Sequence, residues 1–399
     1  MLLTQTYVGQ VGALESSNVS RSLAAGQGFS NPYSCVTGAT AHLAPVYPYL
    51  VSLVYRAFPP GNSRELARYI FSATIASLIY ALLPWLAVKL RLKPGVGMLA
   101  GLVGAAVPLF FWVEVISEWE QPLLTLLLLV ALGLFADLFG SIGLRPAIAA
   151  GVAWGAAILT APTVLPVFIG ALVAWLWHWR RSLPLLRRPI AALFVPMILL
   201  ILPWTIRNYV TFHEFIPIRG SAGMQLSMSF NPLARATFDE DATHGAFVNY
   251  PYISVRVCQK FAKWGEVAMN QRYQQEAVEW IRANPGRTAR LIAERFVAFW
   301  EMSVPSRIKT AASWLLAVLA LLGLGLCLRQ RALAGTLTGL VLLMYPLAYY
   351  LNTYETRYRY PLHPFMLLLA CVFLSDVQRR ISGKAPEPGG ERSGVADAM

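Results

Sequence analysis

Residues 147–176 read AIAAGVAWGAAILTAPTVLPVFIGALVAWL and contain no charged side chain. As one helix they would form a rod of roughly 45 Å, longer than the roughly 30 Å hydrocarbon core of a bilayer. Basic residues flank both ends, with Arg145 before the stretch and HWRRSLPLLRR, residues 178–188, after it. Because such clusters mark the cytosolic side, both ends should lie there. The stretch therefore predicts two short helices that meet at Pro162 and Pro166, where proline breaks the backbone.

The composition indicates a polytopic membrane protein. Of 399 residues, 56% are hydrophobic and only 13% are charged, and the mean hydropathy is +0.52. Soluble domains carry about 25% charged residues. The net charge of +13 is distributed in short clusters between apolar segments. No basic recognition motif stands apart from these segments, so we exclude nucleic acid as a partner.

Segment length and loop charge together predict nine membrane spans. The first two lie at about 64–88 and 97–116, and the third ends near residue 139. Two more occupy the halves of 147–176, and one lies at 190–206. The last three are apolar segments that start near Ser313, Thr336 and Pro364. With the carboxyl end in the cytosol, an odd number of spans puts the amino end outside. Residues 1–14 are too short and polar to carry the chain across. We therefore expect that a first helix is missing from this sequence.

The predicted fold class is an all-α polytopic membrane protein, and its chain divides into five parts. These are a first external loop with interfacial helices (1–63), an N-terminal transmembrane bundle (64–207), a mostly helical external domain (208–310), C-terminal transmembrane helices (311–377) and a disordered cytosolic tail (378–399). The tail assignment depends on its Pro/Gly-rich composition.

Ionisable residues collect on the predicted outer face. Charges at membrane depth are costly and tend to be paired, solvated or functional. Each one alone is explained by an ion pair or an interfacial anchor, but their convergence favours a site. Arginine and histidine can hold a phosphate, and a carboxylate can act as a general base. The candidates are Glu15, Arg21, His42, Glu114, Glu118, Glu120, Arg207, Glu355, Arg357, Arg359 and His363.

Other kinds of site are disfavoured. The sequence has no Gly-rich nucleotide cradle, no catalytic Ser or Cys constellation and no zinc-binding helix motif. Its four cysteines lack the spacing of a metal site or a disulfide scaffold. Cys35 and Cys258 both fall in predicted external segments, so they can pair if the geometry brings them together.

Six stretches of the sequence together carry a family resemblance. They are ESSNVSRSLAAGQGFSNPY (15–33), TGATAHLAPVYPYL (37–50), GVAWGAAILTAPTVLP (151–166), PWTIRNYVTFHEFIPIR (203–219), EAVEWIRANPGRTARLIAERFVAFW (276–300) and RYRYPLHP (357–364). With these stretches the chain resembles the multi-spanning glycosyltransferases of the GT-C fold, in particular the bacterial family 39-like group, which is related to lipid A aminoarabinose transferases and protein O-mannosyltransferases. The stretches run in the family's order and cover most of the chain.

The resemblance implies a sugar donor linked to a polyprenyl phosphate and transfer at the outer side of the cytoplasmic membrane. Glu15 matches the position of the family's catalytic acid, and His42 lies near a position where relatives have a lysine or histidine. Two features depart from the family's pattern, because Ser16 follows Glu15 where relatives often have a second acid, and the proline pair is split as HLAP. The absent first helix is a third departure.

The working hypothesis is an inverting transfer of a hexosyl or pentosyl group. Glu15 is the general base, and His42, Arg207, Arg357 and Arg359 stabilise the leaving polyprenyl phosphate. Glu118 or Glu120 positions the acceptor or a divalent cation, and the acceptor is a lipid, a protein or a glycan. Two alternatives are a transporter or lipid flippase, which the broken helix pair would suit, and a non-catalytic membrane scaffold.

Overall fold

The computed structural model describes residues 14–107, 109, 112–116, 118–244, 250–301 and 307–382. Its α-helices are numbered here in chain order. They are α1 (Leu14–Ala24), α2 (Val46–Ala57), α3 (Asn62–Ala81), α4 (Leu83–Lys89), α5 (Pro94–Ala106), α6 (Gln121–Ala136), α7 (Leu144–Thr160), α8 (Leu165–His178), α9 (Arg187–Phe212), α10 (Ala222–Ser229), α11 (Phe238–Thr243), α12 (Val255–Trp264), α13 (Glu266–Ala283), α14 (Pro285–Trp300), α15 (Arg307–Arg329), α16 (Leu333–Met344), α17 (Leu347–Tyr350) and α18 (His363–Ile381).

This architecture confirms the predicted all-α polytopic membrane protein. Within the described residues, six helical segments are long and apolar enough to cross a membrane, and three shorter apolar helices accompany them. The six are Asn62–Lys89, Gln121–Phe139, Leu183–Phe212, Arg307–Arg329, Leu333–Tyr350 and Thr356–Ile381, and the three are Pro94–Ala106, Leu144–Thr160 and Pro162–His178.

The break predicted in residues 147–176 is present. Helix α7 ends at Thr160, a short 3-10 turn spans Pro162–Val164, and α8 begins at Leu165. Tyr349 fills the break by donating a hydrogen bond to Thr163 Oγ1 at 3.2 Å. The pair fits closely into the bundle, since a Cβ atom on Gly151 of α7 would lie 2.1 Å from the Leu193 carbonyl oxygen of α9.

The second predicted span, 97–116, is not one helix. Helix α5 ends at Ala106, and Val107 takes φ −121° and ψ 80°, outside the helical region. A residue that precedes proline, as Val107 does, is disfavoured in the helical conformation. The segment Trp112–Ile116 then forms a short π-helix that carries Glu114.

Helices α1, α2 and α10 to α14 lie on one face of the bundle, called here the loop face. Helix α1 is joined to the ends of the spans, because Val19, Leu23 and Phe29 pack with Leu159 of α7 and Trp204 of α9. A second cluster joins the first loop to the later helices. It contains Tyr33, Met224, Tyr250, Val257, Cys258, Phe261, Met269 and Tyr273.

The predictions for the two chain ends concern residues that mostly lie outside the described part of the chain. Residues 1–13 and 383–399 lie outside the described residues, so neither the expected missing helix nor most of the predicted tail can be compared. The last helix, α18, continues to Ile381, three residues beyond the start of the predicted tail at 378.

Candidate active site

Glu15 lies in the first turn of α1 and is buried, with 7% of its surface exposed. Tyr250 donates a hydrogen bond to Glu15 Oε1, and His42 Nε2 lies 3.0 Å from the same oxygen. The other carboxylate oxygen, Oε2, accepts no hydrogen bond from a described residue. One oxygen is thus held in place, while the other has no hydrogen-bond donor among the described residues.

The surroundings lower the pKa of Glu15. Burial raises it, but the attraction of His42, the hydrogen bonds of His42 and Tyr250 and the charge of Arg219 together outweigh burial. Glu15 is therefore ionised at neutral pH, as a general base must be.

Two residues that the sequence prediction missed fix the loop that carries His42. Glu266, at the start of α13, accepts hydrogen bonds from Thr40 Oγ1 at 2.5 Å and from the Ala41 amide at 2.8 Å. Arg219 Nε donates to the His42 carbonyl oxygen at 3.1 Å and to Ser221 Oγ at 3.0 Å. The terminal nitrogens of Arg219 make no hydrogen bond to a described residue.

Glu118 forms a second buried carboxylate site next to α1. Ser17, two residues after Glu15, donates to Glu118 Oε2, and Tyr55 donates to the same oxygen at 2.8 Å. Arg68 Nε lies 3.1 Å from Glu118 Oε1. Glu118 thus joins α1, α2 and the first span, and its acceptor-positioning role remains a prediction.

Arg357 belongs to a third cluster of polar side chains. Its guanidinium lies over the Trp119 ring, and Nη2 lies 2.8 Å from Glu355 Oε2. Its Nε and Nη1 are buried without a hydrogen bond to a described residue. Glu120 lies close enough to influence the charge of Arg357 electrostatically. The positive charge of Arg357 also acts on Tyr250, the residue that contacts Glu15.

Two predicted phosphate ligands have other contacts. Arg207 donates to the carbonyl oxygens of Thr40 at 2.7 Å and Phe29 at 3.0 Å. Arg359 is buried and donates to the Glu301 carbonyl oxygen at 2.7 Å. Several guanidinium donors of Arg207 and Arg359 are thus used by backbone carbonyls, and their predicted role at the carrier phosphate stays a prediction.

His42 is predicted as a phosphate ligand, and that role stays a prediction. Its side chain is fully buried and faces Glu15, and its ring packs edge-on against Tyr33 at 5.2 Å. The His42 ring therefore contacts the Glu15 carboxylate directly and lowers its pKa. As for a divalent cation, the described residues contain no group of three or more His, Cys, Asp or Glu side chains that could hold a metal ion.

The first loop is tied covalently to the later helices of the loop face. Cys35 and Cys258 form a disulfide, with 6.0 Å between their Cα atoms. Cys258 lies on α12, whose Phe261 packs against Tyr33, the ring that contacts His42. The disulfide therefore stabilises the arrangement that brings Tyr250 to Glu15.

Comparisons with known proteins agree with this architecture. The family model for dolichyl-phosphate-mannose-protein mannosyltransferase matches residues 42–206, a region that includes His42, Glu118 and Glu120 but not Glu15. No curated protein sequence matches the chain.

Solved structures share the fold. The oligosaccharyltransferase AglB of the archaeon Archaeoglobus fulgidus, in complex with an inhibitory peptide and a dolichol-phosphate, matches with a TM-score of 0.54 and 13% identity over 96% of this chain and 48% of that one. The enzyme from the same organism with zinc and sulfate matches with a TM-score of 0.54 and 16% identity over 92% and 45%. The apo form of that enzyme matches with a TM-score of 0.55 and 14% identity over 92% of this chain and 46% of that one.

The chain spans about half the length of these structures. The structural likeness confirms the predicted GT-C fold, and the family model over residues 42–206 agrees with the predicted resemblance to the family 39-like group. Over residues 42–206 the chain has the sequence pattern of this mannosyltransferase family, and as a whole it has the GT-C fold of the archaeal oligosaccharyltransferase.

Proposed function

We propose that this multi-pass membrane protein is a glycosyltransferase. It moves a hexosyl or pentosyl group from a polyprenyl-phosphate carrier to an acceptor, at the loop face, with inversion at the anomeric carbon. The family match and the shared fold support the reaction class and the lipid-phosphate donor. The alternatives of a carrier, a flippase or a scaffold have no comparable support.

The observation that carries the proposal is the asymmetric environment of Glu15. Its Oε1 is held by Tyr250 and His42, its Oε2 has no described partner, and its pKa is lowered. In the proposed step, Oε2 takes the proton from the acceptor nucleophile as the nucleophile attacks the anomeric carbon. The bond between the sugar and the carrier phosphate breaks, and the phosphate leaves with its electron pair.

Two arginines are suited to the leaving phosphate. The terminal nitrogens of Arg219 and the Nε and Nη1 of Arg357 make no hydrogen bond to a described residue. The charge of Arg219 acts on Glu15 itself, and the charge of Arg357 acts on Tyr250, which donates a hydrogen bond to Glu15. Preorganised cations of this kind stabilise a developing phosphate charge by several kcal/mol, on the order of 3. We assign these two residues to the carrier phosphate in place of Arg207 and Arg359.

Two features support the exterior as the side of the loop face. Disulfides persist in oxidising compartments, and the Cys35–Cys258 bond lies on this face. The opposite ends of the spans carry basic clusters, such as Arg180 and Arg181 after α8 and Arg329 at the end of α15. Such clusters mark the cytosolic side, so the site would face the periplasm or the cell exterior.

The test uses the full chain in liposomes with undecaprenyl-phosphate-linked sugars that carry a radiolabel, in the presence of extracted envelope lipids and proteins as acceptors. Wild type should transfer the label, and Glu15→Gln should lose transfer by about 100-fold or more because a general base is removed. Glu279→Gln changes an exposed carboxylate on α13 and should transfer normally. Full transfer by Glu15→Gln, or uptake of the donor without transfer by wild type, would refute the proposal.

A further inference from the structure

An apolar groove of about 1580 Å³ runs along α8, between this helix and helices α15 and α16. The lining residues of α8 recur at helical spacing, so a single face of the helix forms one wall. They are Pro166, Ile169, Gly170, Val173, Ala174 and Trp177. The groove is open on its side, which in a membrane faces the lipid chains.

One end of the groove lies at the membrane boundary of the loop face. Phe296, Val297 and Trp300 of α14 close this end. Trp300 Nε1 donates a 2.7 Å hydrogen bond to the hydroxyl of Tyr350, the last residue of α17 and of its span. Tryptophan and tyrosine are typical of the interface between hydrocarbon and headgroups. A chain in the groove would therefore emerge at this pair of residues.

A polar cavity of about 640 Å³ adjoins this end of the groove. The groove and the cavity share two lining residues, Val297 and Glu301. The cavity is otherwise lined by residues 235–237, Glu240 and the face of α14 that carries Arg287, Arg290, Ala293, Glu294 and Ala298. An apolar groove next to a polar cavity suits an amphiphile, with its hydrocarbon chain in the groove and its head in the cavity.

The charges of the cavity indicate the headgroup. Three arginines, Arg235, Arg287 and Arg290, face three glutamates, Glu240, Glu294 and Glu301, so the formal charges balance. Glu294 already pairs with Arg290 at 2.8 Å and with Arg287 at 3.6 Å. A phosphate would meet as many carboxylates as guanidinium groups. Sugar hydroxyls donate and accept hydrogen bonds, so they suit such a mixed lining.

The cavity adjoins the segment that carries Arg357. The Tyr354 amide donates to the Ala236 carbonyl oxygen at 2.9 Å, and Arg359 Nη1 donates to that of Glu301 at 2.7 Å. Between Tyr354 and Arg359 lies Arg357, whose charge acts on Tyr250 and so on the Glu15 site. A glycan in the cavity would approach the site along this segment.

We propose that the groove and the cavity together bind the acceptor, a lipid with one long hydrocarbon chain and an uncharged or zwitterionic glycan head. This assignment depends on the proposed function for its role as acceptor, while the binding itself does not. It places the two substrates in separate sites. The donor phosphate lies on Arg219 and Arg357, and the head of the acceptor lipid lies on α14.

The binding test uses the quenching of tryptophan fluorescence, because Trp177, Trp300 and Trp314 line the groove. The full chain is placed in nanodiscs of unbrominated lipid and titrated with dibromostearyl maltoside, with dibromostearyl phosphate as the anionic comparison. We expect saturable quenching by the maltoside at a low mole fraction. Val173→Phe, which narrows the groove, and the double variant Arg235→Gln, Arg290→Gln should each weaken half-saturation about fivefold, as expected for the loss of roughly 1 kcal/mol.

Two matched controls accompany these variants. Val195→Phe adds the same bulk on an exposed position of α9, and Arg272→Gln removes an exposed arginine of α13, and neither residue lines the groove or the cavity. Both should bind like wild type. Tighter binding of the phosphate probe, quenching that only rises linearly with probe, or equal binding by all variants would overturn the proposal.

The acceptor role is tested in native membranes that contain the overproduced chain and are incubated with a radiolabelled polyprenyl-phosphate sugar. We expect the label to pass to a product in the lipid extract in wild type and Val195→Phe, and to a much smaller extent in Val173→Phe. Label on protein that is equal in all three would overturn the acceptor assignment. An absence of any transfer would contradict the proposed function, while the quenching result would still decide the binding.

Discussion

Nε2 of His42 lies 3.0 Å from Oε1 of Glu15, in a pocket where the His42 side chain is fully buried. The two residues come from different elements, α1 and the loop before α2, and Glu266 and Arg219 from later in the chain hold that loop in place. The site is therefore assembled by the loop face as a whole.

Removing His42 should change the pH dependence of transfer. The attraction and hydrogen bond of His42 lower the pKa of Glu15, so His42→Gln should raise that pKa. Activity that requires ionised Glu15 is lost as the pH falls through this pKa, so the acidic limb of the rate profile should move to higher pH. The measurement is transfer rate against pH, with exposed His244→Gln as the control. An unchanged acidic limb would exclude His42 from this role.

Glu266 should act as a positioning residue. Glu266→Gln keeps the size of the side chain but weakens its hold on Thr40 and Ala41, which carry His42. A small misplacement of a reacting group costs up to about 100-fold, so we expect kcat to fall about 10- to 100-fold with little change in the KM for donor. Glu279→Gln serves as the control. A loss confined to protein yield, with normal kcat in the folded fraction, would indicate only a structural role.

The arginines should separate into two groups. Arg219→Gln should lower kcat/KM by about 100-fold with a folded protein, because it removes a cation from the leaving phosphate. Arg207→Gln should instead lower thermal stability, because it leaves the carbonyl oxygens of Thr40 and Phe29 without their donor. Transfer kinetics and thermal unfolding of both variants give the comparison. The reverse pattern would return the phosphate role to Arg207.

The disulfide should contribute much of the stability of the loop face. Removing a native disulfide costs about 2–5 kcal/mol in small domains, and this one closes a loop with a sequence separation of 223. The double variant Cys35→Ser, Cys258→Ser should unfold at a lower temperature than wild type, and reductant should lower only the wild-type value. Maleimide labelling checks that the disulfide has been reduced. The buried free thiols Cys327 and Cys371 set its background level. No shift with reductant would contradict this account.

Asp241 predicts a pH effect of the opposite sign to that of Glu15. Burial raises its pKa to about 6, against hydrogen bonds from the Arg235 amide and Thr353. Its protonated form is therefore favoured in the folded state, and stability is lost as the pH rises from about 4 to about 6, by about 3 kcal/mol at most. Thermal unfolding at pH 4.5 and 7.5 should differ less for Asp241→Asn than for wild type. Asp239→Asn, exposed on the same helix, should behave like wild type.

The sequence predicts the bundle better than the site. Pro162 and the flanking basic clusters are local signals, and they were enough to predict the broken helix pair. Helix α5 ends at Ala106, because Val107 precedes Pro108 in the sequence, and the length of the apolar segment obscured this local signal. Lengths and charges decide spans because the bilayer imposes a fixed thickness.

The contacts of the site had no such signal. Tyr250 and Glu266 lie far from Glu15 in the chain and outside the six family-like stretches, and Arg219 ends one of those stretches without any sign of its contact, so only folding brings these residues together. The sequence also cannot tell whether a guanidinium faces a ligand or a backbone carbonyl, which is the difference between Arg219 and Arg207. Spacing alone could not have decided between them.

The most direct test of the central claim is a structure of the full chain with a non-transferable polyprenyl-phosphate sugar. The account predicts the phosphate on Arg219 and Arg357, with the anomeric carbon facing Glu15 Oε2. A phosphate bound away from both arginines, with Glu15 Oε2 directed at protein atoms, would contradict it.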